Sequence, residues 1–370
     1  MILNIVRFII VIIGFLASII LFYRFPKIKE KSDDHHTGLK VSIIIPARNE
    51  ENNIALLLGD LQKQSLSIHE IICVDDASED NTKAVIQGFG VKLVSVLEKP
   101  QDWLGKSWAC ANGAKMATGD VFLFLDADVR LNEYALDRLI ASYIEAQSVV
   151  SAQPYHKTQK FYEQFSLFFN LVQIAGNGSA LPKPKNIGLF GPIIMISRRD
   201  YETIGGHERV KNCVVEDMAL AQRLIDKKLD YRVLIGDEDI SFRMYGNGFK
   251  SLLQGWTKNL ATGAAKTPFG IGVLVFFFIS SLTSVPLQLI RFSILGNLSW
   301  IIVYSVLYIT WVVVILQLMK KVGKFKHWVI LIYPILLLAF LGVFIVSLVK
   351  KIFKLKVIWK GRAIDTEEKQ

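Results

Sequence analysis

The sequence predicts an α/β fold, in which a doubly wound, mostly parallel sheet is preceded and followed by membrane helices. Three observations support this prediction. Between residues 40 and 265, short β-branched runs alternate with stretches of helical periodicity. Apolar stretches long enough to span a bilayer stand on both sides of that region. Polar clusters directly follow three of the predicted strands, where parallel sheets bind their ligands.

Composition indicates a membrane protein rather than a nucleic-acid-binding one. Apolar residues make up 52% of the 370 residues, and the mean hydropathy is +0.36. The net charge of +10 comes largely from three basic segments beside apolar stretches, at 24–31, 320–326 and 350–362. Such juxtamembrane charge favours anionic lipid head groups as partners, so we expect no nucleic acid.

The cysteines, Cys73, Cys110 and Cys213, are far apart and form no C-x-x-C pair. This pattern predicts reduced thiols in a cytoplasmic domain, with neither a disulfide framework nor a zinc site.

The first apolar stretch, Ile2–Tyr23, is predicted to be a retained anchor. A cleaved signal peptide is the competing interpretation, but the stretch lacks a convincing cleavage site and basic residues follow at once. Positive charge after the anchor predicts a cytoplasmic domain. We therefore expect a multi-pass protein of the cell membrane, with an anchor at 1–24, the α/β domain at 40–265, membrane helices at 266–350 and a basic tail at 351–370.

Three further apolar stretches are Phe269–Ile290, Leu298–Met319 and Trp328–Val349. Four crossings from an outside N-terminus would leave the basic tail outside, against the positive-inside tendency. Phe269–Ile290 is the candidate to lie in the interface or re-enter, because it holds several Ser and Thr residues and Pro286. The number of crossings stays open at this stage.

Within the α/β region, strands are predicted at 41–45, 70–74, 91–96 and 121–125, with helices at 51–64, 80–88 and 106–117. The polar clusters Pro46–Glu51, Asp75–Asp80 and Asp126–Asp128 come after three of these strands. Each cluster alone is also explained by a helix cap or a polar turn. Because the carboxyl ends of parallel strands share one edge of a sheet, we expect all three to line one crevice.

Asp126 and Asp128 lie at the end of a wholly apolar strand and are candidate ligands of Mg²⁺ or Mn²⁺. Mg²⁺ commonly takes one or two carboxylates and completes its shell with phosphates, so a metal-bound diphosphate is the first hypothesis. Lys106 stands at a predicted helix start, where a cation and open backbone N–H groups suit a phosphate. A surface lysine is the alternative.

Four segments in order resemble the motifs of family 2 glycosyltransferases, which have the GT-A fold: VSIIIPARNEENNI, VDDASEDNT, LGKSWACANGAKMATGDVFLFLDADV and VVEDMALAQRL. They cover most of residues 40–262. Other segments, including GGHERVKN and FRMYGNGFKSLLQGWTKNLATGA, resemble the branch that glycosylates carotenoid carboxylates.

The resemblance implies transfer of a sugar from a UDP-sugar with inversion, aided by Mg²⁺ or Mn²⁺. It implies a metal held by Asp128 with Asp126, and a catalytic acidic pair, Glu216 and Asp217, of which the aspartate acts as base. The implied nucleotide-sugar-binding residues are Pro46, Arg48, Asn49, Glu50, Asp75, Asp76, Lys106 and Asp126.

Two features bear on the acceptor. A carboxylate acceptor is already ionised at neutral pH and needs little deprotonation. Asp217 would then position the acceptor, or its presence would indicate a hydroxyl acceptor instead.

Processive members of the family carry Q-x-x-R-W, whereas here Leu252 and Gly255 replace the glutamine and arginine and Trp256 remains. This departure favours transfer of a single sugar.

His207 and Trp256 are the candidate acceptor residues, although a structural histidine and a buried tryptophan are the plainer interpretations. The aromatic-rich segment Phe161–Ile174 is predicted to be an amphipathic interfacial helix, with core packing as the alternative.

Together with the membrane segments, the resemblance implies a membrane glycosyltransferase that moves glucose from UDP-glucose to a lipid-soluble acceptor, preferably the carboxylate of 4,4'-diaponeurosporenoate. Its rivals are transfer to another membrane lipid (a hydroxycarotenoid, diacylglycerol, a ceramide-like lipid or a polyprenyl phosphate) and a non-catalytic scaffold with the same fold.

Overall fold

The computed structural model describes residues 2–30, 38–246, 248–359 and 362–364. The chain forms two compact units. The sheet unit comprises 26–156, 186–244 and 354–370, and the helical unit comprises 1–25, 157–185 and 245–353. Much of the predicted basic tail lies outside the described residues.

The α-helices are α1 (Ile2–Leu21), α2 (Glu51–Leu61), α3 (Thr82–Gly88), α4 (Gly105–Met116), α5 (Ala135–Ala146), α6 (Leu167–Asn177), α7 (Arg198–Thr203), α8 (Glu216–Asp226), α9 (Phe249–Lys266), α10 (Phe269–Ile294), α11 (Leu298–Val322) and α12 (Tyr333–Ile352). The strands are β1 (Val41–Ala47), β2 (Glu70–Asp75), β3 (Lys92–Ser95), β4 (Val121–Leu125), β5 (Val129–Leu131), β6 (Val149–Gln153), β7 (Tyr155–Lys157), β8 (Ile193–Ser197), β9 (Tyr231–Ile235), β10 (Ile240–Phe242), β11 (Gly323–Lys324), β12 (Val357–Trp359) and β13 (Arg362–Ile364).

The seven-stranded sheet has the order β3-β2-β1-β4-β8-β6-β9. β3, β2, β1 and β4 are parallel neighbours, and β8 is antiparallel to both β4 and β6. The prediction of a mostly parallel α/β sheet is therefore confirmed. In register, Ala47 of β1 pairs with Asp75 of β2, which brings the ends of these strands to the same edge.

A smaller sheet supports the turn that follows β4. β10 pairs antiparallel with β5 and parallel with β7, with Ser241 opposite Tyr155. Just beyond β10, the Arg243 amide donates to the Asp128 carbonyl at 3.3 Å. The Asp128 backbone is thus held by this hydrogen bond and by the pairing of the next residue, Val129, with Phe242 of β10.

The helical unit contains four helices long and apolar enough to cross a membrane: Leu3–Leu21, Phe269–Ile294, Leu298–Val322 and the stretch His327–Ile352 that includes α12. The stretch Phe269–Ile290, expected to lie in the interface or re-enter, forms one continuous helix, α10, through Pro286. Its polar side chains are accommodated inside the bundle. The Ser281 hydroxyl donates to the Val11 carbonyl at 3.0 Å and accepts from the Trp311 indole at 3.1 Å.

Residues 157–185 and 245–265 belong to the helical unit, together with the apolar helices. Phe168, Phe169 and Leu171 of α6 are almost wholly buried, and Phe169 stacks on Trp256 of α9 with ring centroids 4.6 Å apart. Core packing, rather than a helix with one free apolar face, therefore describes most of Phe161–Ile174.

One glycine sets how closely α4 approaches the sheet. A Cβ on Gly113 would lie 2.4 Å from the Ile44 side chain, whereas a Cβ on Gly59 of α2 would meet nothing within 4 Å. Alanine is intrinsically favoured over glycine in a helix by about 1 kcal/mol.

We therefore expect opposite effects from two identical substitutions. Gly113→Ala should lower the free energy of unfolding by about 1–3 kcal/mol, because overpacking forces α4 away from β1. Gly59→Ala, the matched control, should raise it by up to about 1 kcal/mol. Thermal unfolding of the purified protein in detergent measures both, and equal shifts for the two variants would contradict the close approach.

Candidate active site

The loops after β1 and β2 are joined by one arginine. Arg48 donates from Nη1 to the carbonyls of Asp76 and Ala77 at 2.7 and 2.8 Å, and from Nη2 to Glu79 at 3.2 Å. The Asn49 side chain accepts from the Glu79 amide at 2.8 Å. These side chains of the first loop bond to backbone groups of the second, so they fix the positions of the two loops that line the crevice.

The first predicted pair of aspartates is buried at the same edge. Asp75 and Asp76 are 3% and 4% exposed. Asp75 accepts from the Ser78 amide at 3.3 Å, and the Asp76 amide donates to the carbonyl of Ala47 at 2.9 Å. Glu50 accepts from Asn53 at 2.6 Å, which is a contact within α2 and its cap. The crevice is therefore preformed around two carboxylates.

The D-x-D segment begins where β4 ends. The Asp126 amide donates to the Pro192 carbonyl at 2.9 Å, and the Asp126 carbonyl accepts from Val129 at 3.1 Å in a tight turn. Between the two aspartates, Ala127 is 4% exposed and packs in the core, so the carboxylates and the alanine face different ways. Both aspartates are partly exposed.

Lys106 is the centre of a charged cluster. It lies in the first turn of α4, and its Nζ is 2.7 Å from Asp126 Oδ1 and 3.0 Å from Glu216 Oε1. Burial opposes the positive charge, but Asp126 and then Glu216 hold the pKa of Lys106 well above its ordinary range. Lys106 is thus a charged group of the site and not a surface lysine.

Asp217 lies beside Glu216 at the start of α8 and is held by two amides. Its Oδ2 accepts from Gly191 at 2.9 Å, and its Oδ1 accepts from Met218 at 2.8 Å. Burial, followed by the neighbouring Glu216 charge, raises the pKa of Asp217 to about 6. A carboxylate with this pKa can exchange a proton near neutral pH.

Gly191 is the residue that sequence reasoning missed. A Cβ there would lie 3.0 Å from Asp217 Oδ2 and 3.2 Å from Lys106 Nζ. The available signal was the Gly-Pro dipeptide before β8, which marks a turn but does not say what the turn contacts.

The two candidate acceptor residues occupy different surroundings from those expected. His207 is 2% exposed, its Nδ1 is 3.0 Å from the Tyr201 hydroxyl, and its ring lies 4.9 Å from that of Phe124. Burial lowers the pKa of His207 to about 4, so the ring is neutral. Trp256 belongs to the helical unit and is 2% exposed. Both placements favour the structural interpretation of these residues.

The residues at the D-x-D turn fit a divalent cation only in part. Among the described residues, no group of three or more His, Cys, Asp or Glu side chains is arranged to hold a metal. Two partly exposed carboxylates nevertheless match the oxygen set that Mg²⁺ takes from a protein when phosphates supply other ligands. The donor set therefore suits a cation shared with a diphosphate.

Comparison with known proteins agrees with this geometry. The model of glycosyl transferase family 2 matches residues 42–205. The chain is 35% identical to a 4,4'-diaponeurosporenoate glycosyltransferase of Staphylococcus haemolyticus, over 90% of each protein. It is 32% identical to the protein of that name from Staphylococcus aureus strain MRSA252, over 98% of each.

A solved structure has the same fold. The mannosyltransferase from Pyrobaculum calidifontis, in complex with GDP-Man and Mn²⁺, superposes with a TM-score of 0.58 at 16% identity, covering 95% of this chain and 99% of that one. The α/β unit is thus of the GT-A type, followed and preceded by apolar helices. Given relatives that match over nearly the whole length, the chain belongs to glycosyl transferase family 2.

Proposed function

We propose that the protein transfers glucose, with inversion, from UDP-glucose to a lipid-soluble acceptor, preferably the carboxylate of 4,4'-diaponeurosporenoate. The observation that carries this proposal is the cluster of Lys106, Asp126, Glu216 and Asp217 at one edge of the sheet. The similarity to two diaponeurosporenoate glycosyltransferases supports the acceptor, and the family resemblance supports the UDP-sugar donor.

The donor would bind against the loops that Arg48 joins. Asp75 and Asp76 lie at the ends of the strands that form this crevice, and their carboxylates suit the hydroxyl and N–H donors of a nucleoside. Because Arg48 is already bonded to two carbonyls, little of its side-chain freedom remains to be lost on binding. The nucleoside pocket is accordingly preorganised.

Asp128 and Asp126 would hold Mg²⁺ or Mn²⁺, which neutralises the negative charge of the departing diphosphate. Mn²⁺ accompanies the donor in the mannosyltransferase of similar fold. Lys106 supplies a second positive charge, 2.7 Å from Asp126, so it can approach the same phosphates by a small side-chain rotation.

Asp217 serves the acceptor. Two backbone amides fix its carboxylate, which limits the directions from which an acceptor can approach. With a hydroxyl acceptor it removes a proton as the new bond forms. With a carboxylate acceptor, no proton needs to leave, and the protonated fraction of Asp217 donates a hydrogen bond to the second acceptor oxygen.

The raised pKa of Asp217 also favours the second candidate function, transfer to a hydroxylated membrane lipid. A general base works best when its pKa is near the working pH, and Asp217 titrates at about 6. The two functions share donor, metal and fold and differ only in the acceptor.

We infer a membrane arrangement from contacts inside the helical unit. α1 and α10 are antiparallel, with Val11 beside Ser281 and Asn4 beside Arg291. α11 is antiparallel to α10, since Trp311 contacts Ser281 and the Tyr304 ring lies 5.7 Å from Phe292. The end of α1, the start of α10 and the end of α11 therefore lie at one end of the bundle, which we call the near end.

α9 has both of its ends at the near end. Its start is tied to the segment Phe161–Ser166, where Tyr162 accepts from the Gly248 amide at 2.9 Å. That segment meets the chain just after α11, since the Lys326 amide donates to Gln164 at 2.8 Å. Only residues 267–268 separate α9 from the start of α10. We infer that α9 lies along the membrane surface.

α12 follows α9. The Ala261 amide donates to the Ser347 hydroxyl at 3.0 Å, and Lys351 donates to the Ala261 carbonyl at 3.3 Å. At the other end of the pair, Trp328 stacks on Phe161 at 5.9 Å. We infer that α12 lies beside α9 in the same leaflet, that three helices cross, and that the last turn of α12, with Lys350 and Lys351, lies at the near end. Placing that end in the cytoplasm of the cell membrane satisfies the positive-inside tendency.

The reaction is tested with membranes that contain the protein, radiolabelled UDP-glucose, Mg²⁺ or Mn²⁺ and diaponeurosporenoic acid. We expect a base-labile pigment that gains one hexose only when metal is present. Asp128→Ala should reduce this product by at least about 100-fold, because the diphosphate charge is no longer neutralised as it leaves. Asp120→Ala changes an exposed aspartate just before β4, at the opposite end of that strand from the D-x-D turn, and serves as control for expression and folding. Undiminished transfer by Asp128→Ala would contradict the metal site.

Asp217→Asn distinguishes the two acceptors. With a hydroxyl acceptor, the loss of the base should lower kcat by about 100–10,000-fold. With a carboxylate acceptor, the loss should be within about tenfold, because the acceptor is already ionised and needs no base. Initial rates with both acceptor classes measure this. Label in another extracted lipid, but none in the pigment, would favour the second candidate.

The pH profile is expected to follow Asp217. Transfer to a hydroxyl should rise with pH through about 6 as the carboxylate loses its proton. Lys106→Gln removes a positive charge that lowers this pKa, so the acidic limb should move to higher pH. kcat/KM measured between pH 5 and 8 checks the direction, and a shift to lower pH would contradict it.

The side of the membrane on which the tail lies is tested by reporter fusions after residue 370 in a bacterial expression host. Green fluorescent protein at this position should fluoresce and alkaline phosphatase should be inactive, since the tail is expected in the cytoplasm. The same reporters after Ile294, on the loop that joins α10 to α11, are expected to give the reverse result. An active phosphatase after residue 370 would mean that α12 crosses.

A further inference from the structure

Two arginines lie on the apolar helices with almost no negative charge around them. Arg7 is on α1 and Arg291 is on α10. In the residues that make up the helical unit, the sequence contains one acidic residue, Glu163. Its side chain already accepts from the amides of Gln159 and Lys160. The guanidinium charges must therefore be balanced by something other than a carboxylate of this unit.

The arginines meet at one place, opposite the near end. Arg291 Nη1 donates to Asn4 Oδ1 and to Gln288 Oε1, both at 3.1 Å. Arg7, one turn beyond Asn4 on α1, has a buried Nη1 that finds no hydrogen-bond acceptor among the described residues. Among the described residues, the Arg291 group is bonded to two neutral amide oxygens and lies 5.3 Å from the centroid of the Phe292 ring, and neither kind of contact cancels its charge.

A fully buried tyrosine completes the cluster. Tyr304 of α11 is 0% exposed, and its hydroxyl has no hydrogen-bond partner among the described residues. The hydroxyl is close enough to interact electrostatically with both Arg7 and Arg291. The rings of Phe292 and Trp300, stacked 5.4 Å apart, form the apolar wall beside it. Two cations and an unsatisfied O–H thus converge from three helices.

This arrangement suits an anionic group with several acceptor oxygens. A guanidinium that is left unpaired in a hydrocarbon environment is costly, and so is a buried hydroxyl without a hydrogen-bond partner. A phosphate accepts from a guanidinium with two parallel hydrogen bonds and has further oxygens for a hydroxyl. A cation or an apolar ligand would satisfy none of these donors.

The position of the cluster along the membrane helices indicates which kind of phosphate it binds. Arg7 is five residues after the start of α1, or about 7.5 Å along the helix axis, and Arg291 is three residues before the end of α10. Both therefore lie near the polar head groups at the end of the bundle away from the near end. We propose that Arg7, Arg291 and Tyr304 bind the phosphate of an anionic phospholipid between α1, α10 and α11.

The proposal is tested on the full-length protein, purified in detergent and delipidated. We expect phosphatidylglycerol to raise the Tm of the wild-type protein by several degrees and phosphatidylcholine to raise it less. The rise should be lost in Arg7→Gln and Arg291→Gln. It should be reduced in Tyr304→Phe, which keeps the ring and removes only the hydroxyl.

Lys321→Gln is the matched control, since it removes the same charge from an exposed position at the other end of α11. It should keep the full phosphatidylglycerol effect. Native mass spectrometry should show one retained phospholipid in the wild type and in Lys321→Gln, and less in the arginine variants. A variant that does not fold is replaced by Arg7→Lys, which keeps the charge and should retain part of the effect.

Three outcomes are informative. Loss of the effect in the arginine variants alone supports the lipid site. If inorganic phosphate stabilises the wild-type protein as well as phosphatidylglycerol does, the phosphate site stands, but its ligand is a soluble anion. If all variants respond as the wild type does, or if phosphatidylcholine matches phosphatidylglycerol, the proposed recognition of an anionic lipid is wrong.

Discussion

The site depends on the ion pairs of Lys106 with Asp126 and Glu216. Through them, the first turn of α4, the end of β4 and the start of α8 are joined by one side chain. Asp126 and Glu216, which contact the same ammonium group, would repel each other in a partly buried crevice without it. The ammonium group makes their convergence possible, and α4 is in turn held close to the sheet because residue 113 has no side chain.

The sequence predicts the parts of the site that local patterns determine. Wholly apolar strands followed by acidic residues indicate both the sheet and its ligand edge, and the structure has β1, β2 and β4 where they were expected. Position along the chain does not reveal partners that are distant in sequence. Lys106 and Glu216 are more than a hundred residues apart, so their ion pair is a tertiary property that the pattern around Lys106 cannot contain.

Burial was the second property that the sequence could not give. His207 follows two glycines, which are a common signal of a loop, yet Tyr201 and Phe124 enclose it. Likewise, the aromatic residues of 161–174 have the spacing of a surface helix, but the apolar helices of the same unit cover them. In both cases the side chains that cover these residues come from other helices and strands. The periodicity of a segment's own sequence contains no information about such neighbours.

The position of Lys106 between the two acidic groups has a kinetic consequence. Asp126 belongs to the edge where a diphosphate would lie, and Glu216 is adjacent to Asp217, where an acceptor would approach. Any phosphate that draws the ammonium toward itself leaves Glu216 less compensated, which makes the neighbouring Asp217 more basic. Binding of the diphosphate would therefore raise the proton affinity of Asp217, beside which the acceptor would bind. Such a centre favours an ordered mechanism in which the donor binds before the acceptor.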